Sequence, residues 1–202
     1  MAFLRMQLRS ACQLPQGSAR GAGFSMLELM VAMAVLLIGL AMVVPGMSQL
    51  VQSNKLSSTS NELQLAFTYA RMEAIRQNRS VVFCHSLDGS LCSEAPDEGW
   101  QGWLIRAAGS SFGAETGSVL RTGILAGGAL QIRSGSQLAS SKDAVMFAAT
   151  GQLLSYTSAQ PLSDLLQLCM AQPGLSNNIR QLKFKSNGRI SLLTQDGGGE
   201  CE

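Results

Sequence analysis

Residues 20–33 read RGAGFSMLELMVAM, and the apolar run they begin continues to Val44. Met26 to Val44 is 19 residues with one charge, Glu28. As a helix this segment is about 28 Å long, close to the roughly 30 Å of a bilayer's hydrocarbon core. Arg5, Arg9 and Arg20 precede it with no acid among residues 1–23, which predicts an N-terminus held in the cytoplasm and the remainder exported. No small-residue cleavage site follows the run, which passes directly into PGMSQL, so the span is expected to stay in the mature protein. Glu28 is the anomaly: a carboxylate at membrane depth costs up to about 3 kcal/mol and marks a functional pairing more often than an accident.

The rest of the 202-residue chain fits one domain of ordinary size. Three of the fifteen basic residues lie before Gly23, leaving twelve against thirteen acids, a near-neutral balance that gives no long-range attraction for nucleic acid. Cys12 lies in the leading segment; Cys84, Cys92, Cys169 and Cys201 lie beyond the span. An even number of exported cysteines reads as two disulfides. Of the three possible pairings, Cys84–Cys92 with Cys169–Cys201 is favoured because the first closes a short turn.

Beyond Pro45 the pattern is amphipathic. Leu63, Phe67, Ala70 and Ala74 recur at helical spacing with Ala66 alongside, while Arg71, Glu73 and Arg76 are expected off that face. A helix from about 48 to 77 follows, nearly continuous with the span, with Pro45 and Gly39 as weak points. After Asn78 the signals change to strands: SVVFC, GWQGWLIRA, then 119–124, 129–133, 144–148 and 165–170, punctuated by Gly and Ser. The stretches AAGSSFGAETGS and RSGSQLASSKD read as loops. In RQLKFKSNGRISLL, a three-residue Ser186-Asn187-Gly188 loop with Gly188 left-handed pairs Lys185 with Arg189 and Phe184 with Ile190. That register places Lys183, Lys185 and Arg189 on one exposed face, a possible DNA contact.

Gly23-Phe24-Ser25-Met26-Leu27-Glu28 resembles the processing site of type IV prepilins and type II secretion pseudopilins. The resemblance implies a cleaved leader over 1–23, cut by prepilin peptidase between Gly23 and Phe24, and N-methylation of Phe24. Glu28 becomes the fifth mature residue, where the family carries its glutamate, and Pro45 the twenty-second, where many members carry proline. In a filament the Glu28 carboxylate then meets the new Phe24 amine of a neighbouring subunit; each group alone is costly to bury, and pairing fixes the register. The mature chain is similar to the GspH/FimT branch of minor pilins and pseudopilins, through a helix ending in ARMEAIRQNRSVVFC, a Cys-turn-Cys, a GW strand, FKSNGRISL and a terminal Cys.

The implied fold is α+β and pilin-like. A membrane-spanning helix half over 24–47 and an amphipathic half over 48–79 precede an antiparallel β-rich periplasmic domain over 80–202 with two disulfides. The implied partners are other pilins or pseudopilins, prepilin peptidase and the inner membrane, from which the subunit is extracted into a type IV pilus or a type II secretion pseudopilus. Some FimT-type members bind DNA through arginines at a GRxR turn; here the turn reads Gly188-Arg189-Ile190-Ser191, without the second arginine. A DNA-binding minor pilin for DNA uptake is the alternative function, with only weak binding expected. A membrane-anchored periplasmic enzyme is the reading from another class, and a single histidine with no clustered carboxylates counts against it. No cofactor is expected. No metal is expected either, because Cys84, His85 and Cys92 are poorly spaced for zinc. Trp100 and Trp103 are expected to be packing residues.

Overall fold

The computed structural model describes residues 24–109, 117–125 and 127–201, with the backbone alone at 42–45. The leader, with Gly23 and Cys12, lies outside the described residues, as does most of AAGSSFGAETGS. Helix α1 spans Met26–Gln77, and the chain divides into two units at Val43/Val44.

In the first unit the helix is long and apolar enough to cross a membrane, and its side chains from Phe24 to Ala41 are exposed.

In the second unit the amphipathic part of α1 packs on two antiparallel sheets, with nine strands among the described residues. One sheet has the order β3-β2-β1-β5-β6, built from β1 (Val81–His85), β2 (Gly102–Ala107), β3 (Val119–Ile124), β5 (Ala144–Phe147) and β6 (Leu153–Ser155). The other has the order β4-β7-β8-β9, from β4 (Leu130–Ser134), β7 (Asp164–Met170), β8 (Ile179–Phe184) and β9 (Ile190–Gln195). The expected strands are present; β6, only three residues long, carried too little pattern to be seen in the sequence.

The buried helix face is the predicted one, Leu63, Ala66, Phe67, Ala70 and Ala74, extended toward the N-terminus by Leu56, Thr59 and Ser60. Phe67 joins the two sheets. Its ring lies 4.0 Å from that of Phe83 on β1, 5.3 Å from Phe184 on β8 and 6.4 Å from Phe147 on β5. Trp100 and Trp103 stack on Phe83 at 5.8 and 6.0 Å, and both are buried, as packing residues should be. Strands β1, β2 and β5 are buried along their whole length. Their outward residues Val82, Cys84, Leu104, Ala144 and Met146 form a second apolar cluster against which Cys92 and Tyr156 pack.

Two expectations are corrected here. Glu73 is buried rather than off the packed face. Its carboxylate accepts from Arg76 Nε at 2.8 Å and from Gln77, so the charge is matched within the last turn of the helix. The stretch RSGSQLASSKD contains a short helix, α2 (Ser136–Ser140). Its N-cap residue, Gly135, has no side chain to cap it; Asp164, at the start of β7, accepts from the Leu138 N–H at 2.7 Å instead. Leu138 is wholly buried and anchors the turn.

Candidate functional site

The N-terminal turn of α1 is built by Ser25. Its hydroxyl accepts from the Glu28 N–H at 3.1 Å, and its carbonyl accepts from the Leu29 N–H at 3.2 Å. Ser25 therefore acts as N-cap with Glu28 three residues on, the S-x-x-E spacing of a capping box. The motif is local, complete within four consecutive residues. Glu28 also lies where the helix dipole favours an anion. It is the single acid among exposed Phe24, Met26, Leu27, Leu29 and Met30. Pro45 is helical in backbone, and its side chain is outside the described set.

The last hairpin has the expected register. Phe184 pairs with Ile190, the Lys185 N–H donates to Arg189 O at 2.9 Å, and Gly188 has φ 76°. A Cβ at Gly188 would stand 2.2 Å from Gly151 O and 2.6 Å from Arg71 Nε, so the position requires glycine twice over. Lys183, Lys185 and Arg189 are exposed, while Leu182 and Phe184 are buried. Arg189 also lines an open cleft of about 380 Å³ with Asn187, Gln64, Thr68 and Arg71 of α1. Arg71 donates from Nε to Gly151 O at 3.2 Å. The meeting of Arg71 with Arg189 spans more than a hundred residues of sequence, and no local signal announces it.

Both disulfides are present, Cys84–Cys92 and Cys169–Cys201. With Cys84 and Cys92 bonded to each other, a zinc site using both is chemically excluded; no cluster of potential metal ligands occurs among the described residues. His85 is wholly buried between this turn and Trp100. Its Nδ1 lies 3.1 Å from both the carbonyl and the hydroxyl of Ser93. Burial pushes its pKa below the usual imidazole value, although Ser93 and Asp143 act in the opposite sense. Arg76, first, and then Gln77 hold Glu73 at a pKa of about 2. The Gly-rich tail is held by more than its disulfide. It is gripped by buried Asn178, which donates to Glu200 O at 2.9 Å and Met170 O at 3.2 Å and accepts from Gly197 N–H at 2.8 Å.

An exposed apolar helix that opens on a carboxylate, together with an α+β domain wrapped on an amphipathic helix and closed by two disulfides, defines a pilin-class subunit. The chain belongs to the family described as type II transport protein GspH, whose profile matches residues 59–188. The prokaryotic N-terminal methylation motif matches residues 19–44. The protein is thus a minor pilin or pseudopilin, a structural subunit of a type IV pilus or a type II secretion system. Its fold is similar to that of the type IV minor pilin FimU of Pseudomonas aeruginosa strain PAO1, at 24% identity over 69% of this chain and 89% of that one, with a TM-score of 0.50. The minor pseudopilin EpsH of the type 2 secretion system of Vibrio cholerae matches 69% of this chain and 97% of its own at 11% identity, with a TM-score of 0.46. No curated protein matches the sequence.

Proposed function

We propose that the chain is cut between Gly23 and Phe24, is methylated at the new amine, and enters a filament in which Glu28 meets the Phe24 amine of a neighbouring subunit. The observation that carries this reading is Glu28 itself, the lone charge of the apolar helical segment Met26–Val44, which begins within the matched methylation motif. Before assembly the span rests in the inner membrane with its leader in the cytoplasm and its domain in the periplasm. Burying the carboxylate and the amine separately is unfavourable, whereas together they satisfy each other only at one axial offset between helices, so the pair selects register more than it adds stability. Mass spectrometry of the mature N-terminus tests the processing step, with Phe24 plus one methyl group expected; an intact leader refutes it. Glu28→Ala should still insert in the membrane and should fail to enter filaments, and normal incorporation of this variant would remove Glu28 from assembly.

DNA binding at the last hairpin is the second reading, and Arg71 is the observation that favours it. The turn lacks a second arginine, and Arg71 brings one to the cleft that Arg189 lines. With Lys183 and Lys185 on the outer face of the same hairpin, hairpin and cleft together offer four cations. At about 0.9 per neutralised phosphate, the slope of log affinity on log salt is then no steeper than about −3 to −4. Nothing in this surface is arranged to read base edges, so binding should be weak and independent of sequence. Titration of residues 48–202 with duplex DNA at two salt concentrations decides it; affinity unchanged by Arg189→Ala and Arg71→Ala refutes it.

A further inference from the structure

The two sheets have four edges, and three are guarded. On β4, Ile132 O accepts from the Trp100 N–H at 2.9 Å, and the Gly99 backbone lies against the same residue. On β6, Leu153 N–H donates to Ser186 O, Leu153 O accepts from Leu162 N–H, and Leu154 bridges Pro161. Strand β3 carries Arg121 and faces a register break at Ile105/Arg106. Charge, proline, bulges and covering segments are the usual means of keeping an edge from pairing with another chain.

Strand β9 has none of them. Its sequence, ISLLTQ, lacks charge and proline, and its pairing with β8 is unbroken from Ile190 to Gln195. The Lys185 N–H to Arg189 O bond fixes which residues face β8. In an antiparallel ladder the hydrogen-bonded positions alternate, so Ser191, Leu193 and Gln195 bond to β8, while Ile190, Leu192 and Thr194 point their N–H and C=O groups outward. Among the described residues no hydrogen bond reaches those outward groups. Leu193 is 46% exposed on the outer face beside them. Alternating free donors and acceptors along an extended backbone are matched by another extended backbone. The ends of this edge differ in charge: Lys183, Lys185 and Arg189 stand near the hairpin turn, whereas near the tail Asp196 and Glu200 outnumber Arg180, which lies opposite Thr194.

We propose that β9 is completed in the assembled filament by an extended strand of a different, neighbouring pilin subunit, with acidic residues beside Arg189 and basic residues toward Asp196. The proposal rests on the subunit reading above. Antiparallel pairing of β9 with a second copy of itself would also match the charges, but it turns one domain end over end relative to the other, whereas subunits drawn from one membrane share one direction.

The test is made on the full chain in the native cell. A benzophenone amino acid placed at Leu193 is photo-activated in purified filaments and the adduct identified by mass spectrometry. Thr194→Pro deletes one outward N–H without touching the β8 ladder, Thr194→Ala keeps it, and Leu193→Lys installs the missing guard. The expected result is an adduct with another pilin subunit. Incorporation should fall about fivefold, the worth of one lost hydrogen bond, in Thr194→Pro and at least as much in Leu193→Lys, with Thr194→Ala unchanged. If Thr194→Pro fails to form its disulfides, Leu193→Lys, a change at an exposed side chain, decides alone. No adduct, an adduct only with a second copy of this chain, or wild-type incorporation of folded Leu193→Lys each overturns the proposal and leaves the subunit reading intact. Absence of the wild-type chain from any filament overturns both.

Discussion

Phe67→Ala is the substitution that should hurt the domain most. Phe67 is wholly buried and touches rings from three strands in two sheets. Truncating a buried phenylalanine costs about 3–5 kcal/mol through lost transfer energy and the cavity left behind. Aromatic pairs add about 0.5–1.5 kcal/mol each beyond area, and three are lost here, which places the expected value near the top, about 4–5 kcal/mol. Domains of this kind hold about 5–15 kcal/mol in all, so the variant should be marginal. At about 2–4 °C per kcal/mol, Tm should fall by roughly 8–20 °C. Phe67→Leu retains most of the volume and should lose about 1–2 kcal/mol. The assay is urea unfolding of residues 48–202 with both disulfides oxidised. A loss below about 2 kcal/mol for Phe67→Ala, or equal losses for the two variants, would refute the assignment of Phe67 as the joint between the sheets.

Acid should destabilise the domain in two stages. His85 has its pKa lowered by burial, so the unfolded chain takes up its proton first and stability falls as pH drops below about 6.5. Glu73, held at about 2 against an ordinary 4.5, adds a second loss between those values. Thermal melts from pH 8 to 3 should show both, with the first stage absent in His85→Gln and the second in Glu73→Gln. Asn178→Ala should cost about 2–3 kcal/mol, because it strips three hydrogen bonds, one of them to the buried Met170 carbonyl, and should open the tail at 196–200 to protease. Gly188→Ala should cost about 1–3 kcal/mol through the left-handed backbone and the contact with Gly151 O, measurable by the same unfolding curves.

The parts of this molecule legible in the sequence are those whose causes are local. Apolar spacing gave the helix face around Phe67, and Ser186-Asn187-Gly188 gave the hairpin register because only that loop keeps Leu182 and Phe184 on the face shared with Ile190. What escaped depends on residues distant in the chain. The α2 helix depends on Asp164 arriving from β7, so its own stretch reads as a loop. The tail depends on Asn178. Glu73 could be buried only because Arg76 and Gln77 fold back on it, whereas charge alone argues for the exposed face. Ser25 is the exception, a local signal obscured by the stronger message of Glu28 three residues on.

The Cys169–Cys201 bond has a mechanical consequence. The chain between these residues holds all of β8 and β9, within a covalent loop of sequence separation 32. A domain pulled apart under load lengthens by the contour it releases. At about 3.3–3.6 Å per residue, this bond withholds roughly 110 Å of that length. Even if the sheets separate, the hairpin stays tethered as a closed ring beside β7, so the subunit yields by a shorter step and its outermost strand is in place to re-form when the load is removed.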